Sequence, residues 1–508
     1  LTRFAFASAA CLVAACSSVQ TPPPRTDDDT KAWWSITGDL SADDMEGRDT
    51  GSEGHAKAVR YVIDRMQKAG LKPVGENGGW TQTLPLKEVK IEKDGTSFEI
   101  ARGDKSSETL RFLHEINVRV SAELPESLEA SLAFRGYCSD AEMKDIKGKA
   151  VICFGARRTG LPNGGGRLQN ALQGGAAAIL NLDDVGYTLE PMRWPDAYAR
   201  SVSFPDAGPP ANPKFPVIRL APDALAKVIK GANQDAAAIL KAGAAGAALP
   251  SFDIPSVLKA TFRTSQRNLS SDNVLGLLPG TDPALKDQVV IVSAHLDGYG
   301  YGEPVNGDNL YNGAFDDAAY VASLIRLAEQ RAGKGFRRSV LFAVYTGEEK
   351  GLLGSTYFST HLTVPKQNLA AVINLDQLRP LFPLKILTMH AIDDTTLANN
   401  VRRIAGPMGI TVRPDLEPER NLNQRTDHWP FLRIGVPATN FVFGYDPGTD
   451  AERRYREWYQ IRYHRPQDDM TQPIDFDAAR DINTFFYRLT EDVANDDKRP
   501  AFLPGSRQ

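Results

Sequence analysis

The chain is predicted to be an α/β protein: a mostly parallel central sheet with helices on both faces, plus an inserted small β-rich module. Three observations carry that expectation. Apolar runs rich in β-branched residues, 289–294, 339–345 and 369–375, alternate with helical segments. Uninterrupted apolar strands separated by helices belong in a parallel sheet covered on both sides. The segment after Asp316 places Val321, Leu324, Ile325 and Ala328 on one helix face. Between residues 119 and 255 the pattern turns to short β runs, 132–137 and 150–154, with a polar turn between them.

Bulk properties narrow the field. At 508 residues the chain exceeds one typical core, so two or three domains are expected. With 42% hydrophobic and 24% charged residues, the composition is that of a globular protein. A net charge of -4 leaves no basic footprint, which argues against a nucleic-acid partner.

Taken in order, residues 1–16 form a targeting segment. The apolar run 4–15 is broken only by Ser8 and ends Leu12-Val13-Ala14-Ala15-Cys16. It is too short to span a bilayer as a permanent helix. Val13-Ala14-Ala15-Cys16 resembles a bacterial lipobox, which implies a lipid on Cys16, and Ser17 resembles the outer-membrane sorting class. The implied location is the bacterial cell envelope, facing the periplasm, with the membrane touched only through that lipid. An ordinary secretory signal is the alternative. Residues 17–32, with Pro22, Pro23 and Pro24, read as a linker.

Residues 33–118 begin the main domain. Val59, Val62, Ile63 and Met66 mark one helix face, closed by Gly70. Strands follow near 80–84 and 97–102, and His55 and His114 read as scaffold. In the 119–255 module, Gly164, Gly165 and Gly166 form a surface loop, since no phosphate-binding GxxxxGK[ST] is present. Cys138 and Cys153 could pair in an oxidising compartment or remain thiols; both readings stay open. Residues 256–500 complete the main domain, and Ile482, Phe485, Phe486 and Leu489 make the last helix a core element.

The chemistry gathers where the apolar strands stop. Ligands in open α/β sheets bind at the carboxyl ends of strands, and these ends carry His295, Glu348-Glu349 and Asp376. Asp316 opens a helix and His464 lies late in the chain. Histidine and carboxylate without thiolate suit zinc, or else cobalt or manganese. Five such ligands with one bridging carboxylate would hold two metals. Of two adjacent glutamates, one can bind metal while the other accepts a proton from water.

Five motifs stand together here: Ala294-His295-Leu296-Asp297, Gly313-Ala314-Phe315-Asp316-Asp317-Ala318, Glu348-Glu349-Lys350-Gly351-Leu352-Leu353-Gly354-Ser355, Asn374-Leu375-Asp376 and Tyr463-His464. On them the chain resembles the co-catalytic di-zinc aminopeptidase family that includes aminopeptidase Y and glutamate carboxypeptidase II. Gly148-Lys149-Ala150-Val151, followed by Asn170-Ala171 and Gly175-Ala176, resembles a protease-associated domain, an insertion known in that family.

The resemblance implies two zinc ions per chain and peptide substrates. His295 and Asp376 would bind one ion, Glu349 and His464 the other, and Asp316 would bridge. Glu348 would be general base and then acid, Tyr463 would steady the oxyanion, and Asp297 would orient His295. Asp468 is given a like role toward His464. The stretch Thr426-Asp427-His428-Trp429-Pro430-Phe431 resembles a pocket-side motif, with His428 as wall; His361 and His390 read as ordinary. Relatives carry small residues after the bridging aspartate, whereas this chain has Ala318-Ala319-Tyr320, so an altered pocket shape is expected. Activity as an aminopeptidase leads. The alternatives are a carboxypeptidase or other amide hydrolase, a glutaminyl cyclase-like acyltransferase, and a non-catalytic receptor-like homologue.

Overall fold

Two eight-stranded sheets organise the chain, and the metal-competent residues lie at one end of the first. The computed structural model describes residues 19–21, 23, 25–155, 158, 161 and 166–506. The segment 1–16 with Cys16, and Gly164 and Gly165 of the glycine loop, lie outside the described residues.

The central sheet runs Ala438–Thr439, Leu369–Asn374, Val289–His295, Ser339–Tyr345, Thr264–Leu278, Thr81–Ile91, Arg200–Ser203, with Lys72–Pro73 also paired to Thr264–Leu278. The first four strands are mutually parallel. The remainder are antiparallel, so the sheet is mixed, with the expected parallel order confined to one half. Burial explains the division. Val289–His295, Ser339–Tyr345 and Leu369–Asn374 are buried at every position, as strands covered on both faces must be. Thr81–Ile91 instead alternates between buried and accessible residues over much of its length, the signature of a half-covered antiparallel strand.

Successive residues of the central strand point to opposite faces. Val290, Val292 and Ala294 enter the larger core, with the helices Asp28–Leu40, Glu53–Lys68, Ala319–Gln330 and Phe476–Asn495. Val289 and Ile291 pack on the other face against Phe358 and Phe431. Each such buried aliphatic side chain contributes about 1.5–3 kcal/mol. Trp33 donates its indole N–H to the Ala319 carbonyl at 2.6 Å, pinning the first helix to the start of Ala319–Gln330.

The second sheet runs Ser107–Leu110, Ser97–Arg102, Ser251–Thr261, Ser127–Arg135, Lys149–Phe154, Ala178–Leu182, Val217–Leu220, Ile116–Val118. It has its own core around Phe98, Ile152, Leu180 and Leu258. Its strands span 97–261, wider than the 119–255 expected. The reason is that Ser97–Arg102 and Ile116–Val118 bury their apolar residues here, with Ile100 opposite Leu258. Cys138 and Cys153 are disulfide-bonded, which resolves the open alternative. One strand leaves this module: Arg200–Ser203 crosses to the central sheet and pairs with Thr81–Ile91. Among the described residues, no helix is long and apolar enough to cross a membrane.

Candidate metal centre

His295 ends its strand, Asp376 lies two residues beyond Leu369–Asn374, and Glu348 and Glu349 sit in the turn after Ser339–Tyr345. These three strands are adjacent and parallel, so their ends converge. Asp316 comes from the wide turn at 314–318 that opens Ala319–Gln330, where its own backbone is non-helical (φ -124°, ψ 77°). Gly313 makes the turn possible: it has a φ of 63°, and a Cβ there would lie 2.4 Å from the Asp316 carbonyl oxygen. His464 follows the helix Asp450–Ile461.

The five predicted ligands form two groups, His295–Asp316–Asp376 and Asp316–Glu349–His464, each with donor atoms within 4.8 Å of one another. Asp316 belongs to both. Its Oδ1 is 3.4 Å from His295 Nε2 and its Oδ2 is 3.4 Å from His464 Nε2, while Glu349 Oε2 is 3.1 Å from His464 Nε2. His295 Nε2, Asp316 Oδ2 and both Asp376 carboxylate oxygens are buried without a hydrogen-bond partner. Buried polar atoms left unpaired are costly, and a cation between them removes the cost. The residues present therefore fit a pair of N/O-ligated metal ions.

Glu348 belongs to neither group, yet its Oε2 lies 4.0 Å from His295 Nε2. Burial pushes its carboxyl well above the usual range, with Asp376 and Glu349 adding to the shift against the pull of His295. Burial also lifts Asp376, to about 6. Asp316 behaves oppositely: burial would raise it, but Arg379, His295 and His464 hold it well below the ordinary carboxylate range.

Supporting residues differ in part from expectation. His295 Nδ1 contacts the Asp297 backbone carbonyl at 3.0 Å, while the Asp297 carboxylate is 3.8 Å away. That carboxylate instead accepts the Glu348 N–H at 3.0 Å and the Thr50 hydroxyl at 2.9 Å. Asp297 thus orients His295 through its backbone and the glutamate turn through its side chain. Asp468 does not reach His464; it accepts the N–H groups of Phe315 and Asp316 at 2.9 and 3.0 Å and so positions the bridging residue. The partner of His464 Nδ1 is the Tyr299 hydroxyl at 2.7 Å. Tyr463 stacks on His464 with ring centroids 3.7 Å apart. Both nitrogens of the buried His428 are engaged, by Thr426 and Asn423, and His428 lies outside both ligand groups.

Tyr320 does not shape a pocket. It is 1% exposed within the main core, and its hydroxyl faces Arg379 and Asp317. Arg379, fully buried, places Nη2 3.4 Å from Asp316 Oδ1 and donates Nη1 to the Phe315 carbonyl at 3.0 Å. Sequence reasoning missed this cation, although an arginine three residues after a ligand, in the apolar stretch Leu375 to Leu384, was a usable signal. It also missed Arg48, whose buried guanidinium donates to the carbonyls of Leu296, Leu40, Asn312 and Gly313. Arg48 ties the loop after His295 to the loop before Asp316, and nothing local in sequence announces it.

Comparison with known proteins places this arrangement. The model of peptidase family M28 matches residues 273–490, which include all five predicted ligands and Glu348. The alkaline phosphatase isozyme conversion protein of Escherichia coli K12 is 31% identical over 259 residues, covering 46% of this chain and 74% of that protein. The chain belongs to peptidase family M28. A probable zinc metalloprotease of Pyrenophora tritici-repentis is 25% identical over 251 residues, 41% of this chain and 55% of its own length, so this chain spans about half the length of that curated relative. In fold, this M28 chain is similar to the aminopeptidase from Aneurinibacillus sp. strain AM-1, with a TM-score of 0.60 at 18% identity over 94% of this chain and 96% of the other.

Proposed function

We propose that this M28 chain is a zinc-dependent exopeptidase, an aminopeptidase that removes N-terminal residues from peptides and holds two zinc ions. The observation that carries the reading is the pair of ligand groups sharing Asp316, with a buried glutamate beside them that ligates in neither. His295 and Asp376 would hold one ion, Glu349 and His464 the other, with Asp316 common to both. When bound, such ions supply an acidic water and polarise the scissile carbonyl.

The chain's own residues do the rest. Glu348 accepts the water's proton at its carboxylate and returns it to the leaving amine, a role open to it because it lies 4.0 Å from His295 Nε2 and belongs to neither ligand group. Asp297 fixes that glutamate through the Glu348 N–H. Tyr463, stacked on His464, is assigned to the carbonyl oxygen as it gains charge. The module with the second sheet is read as a protease-associated domain on its sequence motifs. The lipid on Cys16, and with it an envelope location facing the periplasm, rests on the lipobox-like motif alone.

The test is hydrolysis of aminoacyl-anilides and of N-blocked peptides by the purified protein, with zinc content measured in parallel. Hydrolysis of the free-amine substrates should vanish on thorough chelation and return with two equivalents of zinc. Activity that survives chelation would refute the metal chemistry, and cleavage of blocked peptides alone would refute the aminopeptidase assignment.

A further inference from the structure

Part of the chain from Leu189 to Arg200 runs beside the predicted ligand His464. Tyr198 stacks on Tyr299 with centroids 5.6 Å apart and accepts the Lys350 ammonium at 2.7 Å. Glu190 accepts Arg425 at 2.6 Å, and the Leu189 carbonyl accepts Arg456 at 3.3 Å. Beneath this span lies a cavity of about 190 Å³, bounded on one side by Tyr299 and the ligand His464 and on the other by Arg193, Arg465 and Arg219.

The charges lining the cavity do not balance. Arg219 is satisfied, bonded to Asp183 and Asp196 at 2.6 Å each. Asp196 is satisfied as well, its second oxygen accepting Asn117 at 2.7 Å. Arg193 and Arg465 form no ion pair among the described residues. Arg465 is 6% exposed and spends Nη1 on the Pro195 carbonyl. Arg193 lies over the Tyr463 ring at 4.7 Å, with its Nη1 buried and lacking any hydrogen-bond partner. The unspent donor of Arg193, beside a second arginine that is itself buried, is costly unless an anion completes it. The planar guanidinium fork matches a carboxylate better than any other common peptide group.

We propose that Arg193 and Arg465 form a carboxylate-binding subsite beside His464, which takes an anionic group of a peptide substrate close to the scissile bond. The inference rests on the peptidase reading and deepens it, since it makes short or acidic peptides the preferred substrates. The carboxylate has two sources: the free C-terminus of a very short peptide, or an acidic side chain next to the cut. At about 3.3–3.6 Å per extended residue, a cavity bordered by the predicted ligand His464 is within one or two residues of the reacting carbonyl.

The test uses the zinc-loaded full chain carrying Glu348→Gln, so that peptides bind without turning over. Calorimetry compares Leu-Ala, Leu-Ala-amide, Leu-Asp-amide and Asp-Ala-amide, in that background and with Arg193→Gln or Arg465→Gln added. At least one carboxylate-bearing peptide should bind roughly 10–100-fold tighter than the neutral amide, as for a charge-assisted pair, and the arm that does so identifies the source. Either arginine substitution should bring that ratio to within about threefold of unity. A ratio near one before substitution, a ratio that persists after both substitutions, or no measurable binding would overturn the proposal. Hydrolysis of neutral aminoacyl-anilides by the unsubstituted enzyme is scored separately. Its absence, with the binding ratio intact, counts against the aminopeptidase reading and not against the subsite.

Discussion

Arg379→Met should separate the two states of the metal centre. Arg379 Nη2 lies 3.4 Å from Asp316 Oδ1, and the arginine is wholly buried. At an effective dielectric of about 20 the gross attraction over that distance is about 5 kcal/mol. Removing one partner of such a buried pair costs about 3–5 kcal/mol. In the zinc-free protein, Asp316, Asp317 and Asp376 crowd together with Arg379 as a nearby cation, so the variant should lose that amount of stability. With zinc bound, the metal charge compensates the same carboxylates, and the repulsion between arginine and metal is gone. The loss should then shrink by at least about 1.4 kcal/mol, equivalent to tenfold tighter zinc binding. The lost hydrogen bond to the Phe315 carbonyl affects both states and cancels in the comparison. The assay is denaturant unfolding with and without zinc, alongside chelator competition for affinity. Equal losses in both states, or weaker zinc binding, would refute the compensating role of Arg379.

Two further outcomes are expected. Glu348→Gln should keep two zinc ions per chain but lower kcat by roughly 10²–10⁴-fold, the usual contribution of general acid–base catalysis; a variant with lower zinc content would make Glu348 a ligand. Burial, with Arg48 adding, pushes His55 down to about 4 from an ordinary 6.5, so the folded protein keeps it neutral while the unfolded chain takes up a proton below pH 6.5. Its contribution is complete above pH 6.5 and is lost as pH falls toward 4, by at most about 3 kcal/mol. The stability difference between wild type and His55→Asn, measured zinc-free, should therefore narrow from pH 7 to pH 4.5, and parallel curves would reject the assignment.

The candidate ligands were legible because their chemistry and fold position coincide: His295, Glu349 and Asp376 lie at or just beyond the ends of apolar strand runs, and a strand end is visible in a one-dimensional pattern. Asp316 and His464 needed the motif resemblance, since the turn at 314–318 and the residue after a helix have no periodicity of their own. What escaped depends on contacts between distant segments. The Thr50–Asp297 bond spans 247 residues, and the Arg48 clamp reaches as far as Gly313. Asp468 shows how proximity in sequence can mislead: four residues from His464, it serves Asp316, 152 residues away. The antiparallel half of the central sheet was hidden for a related reason. Thr81–Ile91 and Thr264–Leu278 lie on either side of the inserted module, so their pairing is not a local hairpin signal.

The crossing strand Arg200–Ser203 also ties the mobility of the inserted module to the edge of the central sheet. The insertion is stitched into the catalytic sheet by four paired residues on one side and held through Glu190 by Arg425 on the other. Swinging it outward would unzip a sheet edge and break that ion pair, so the module and the sheet are expected to move as one body.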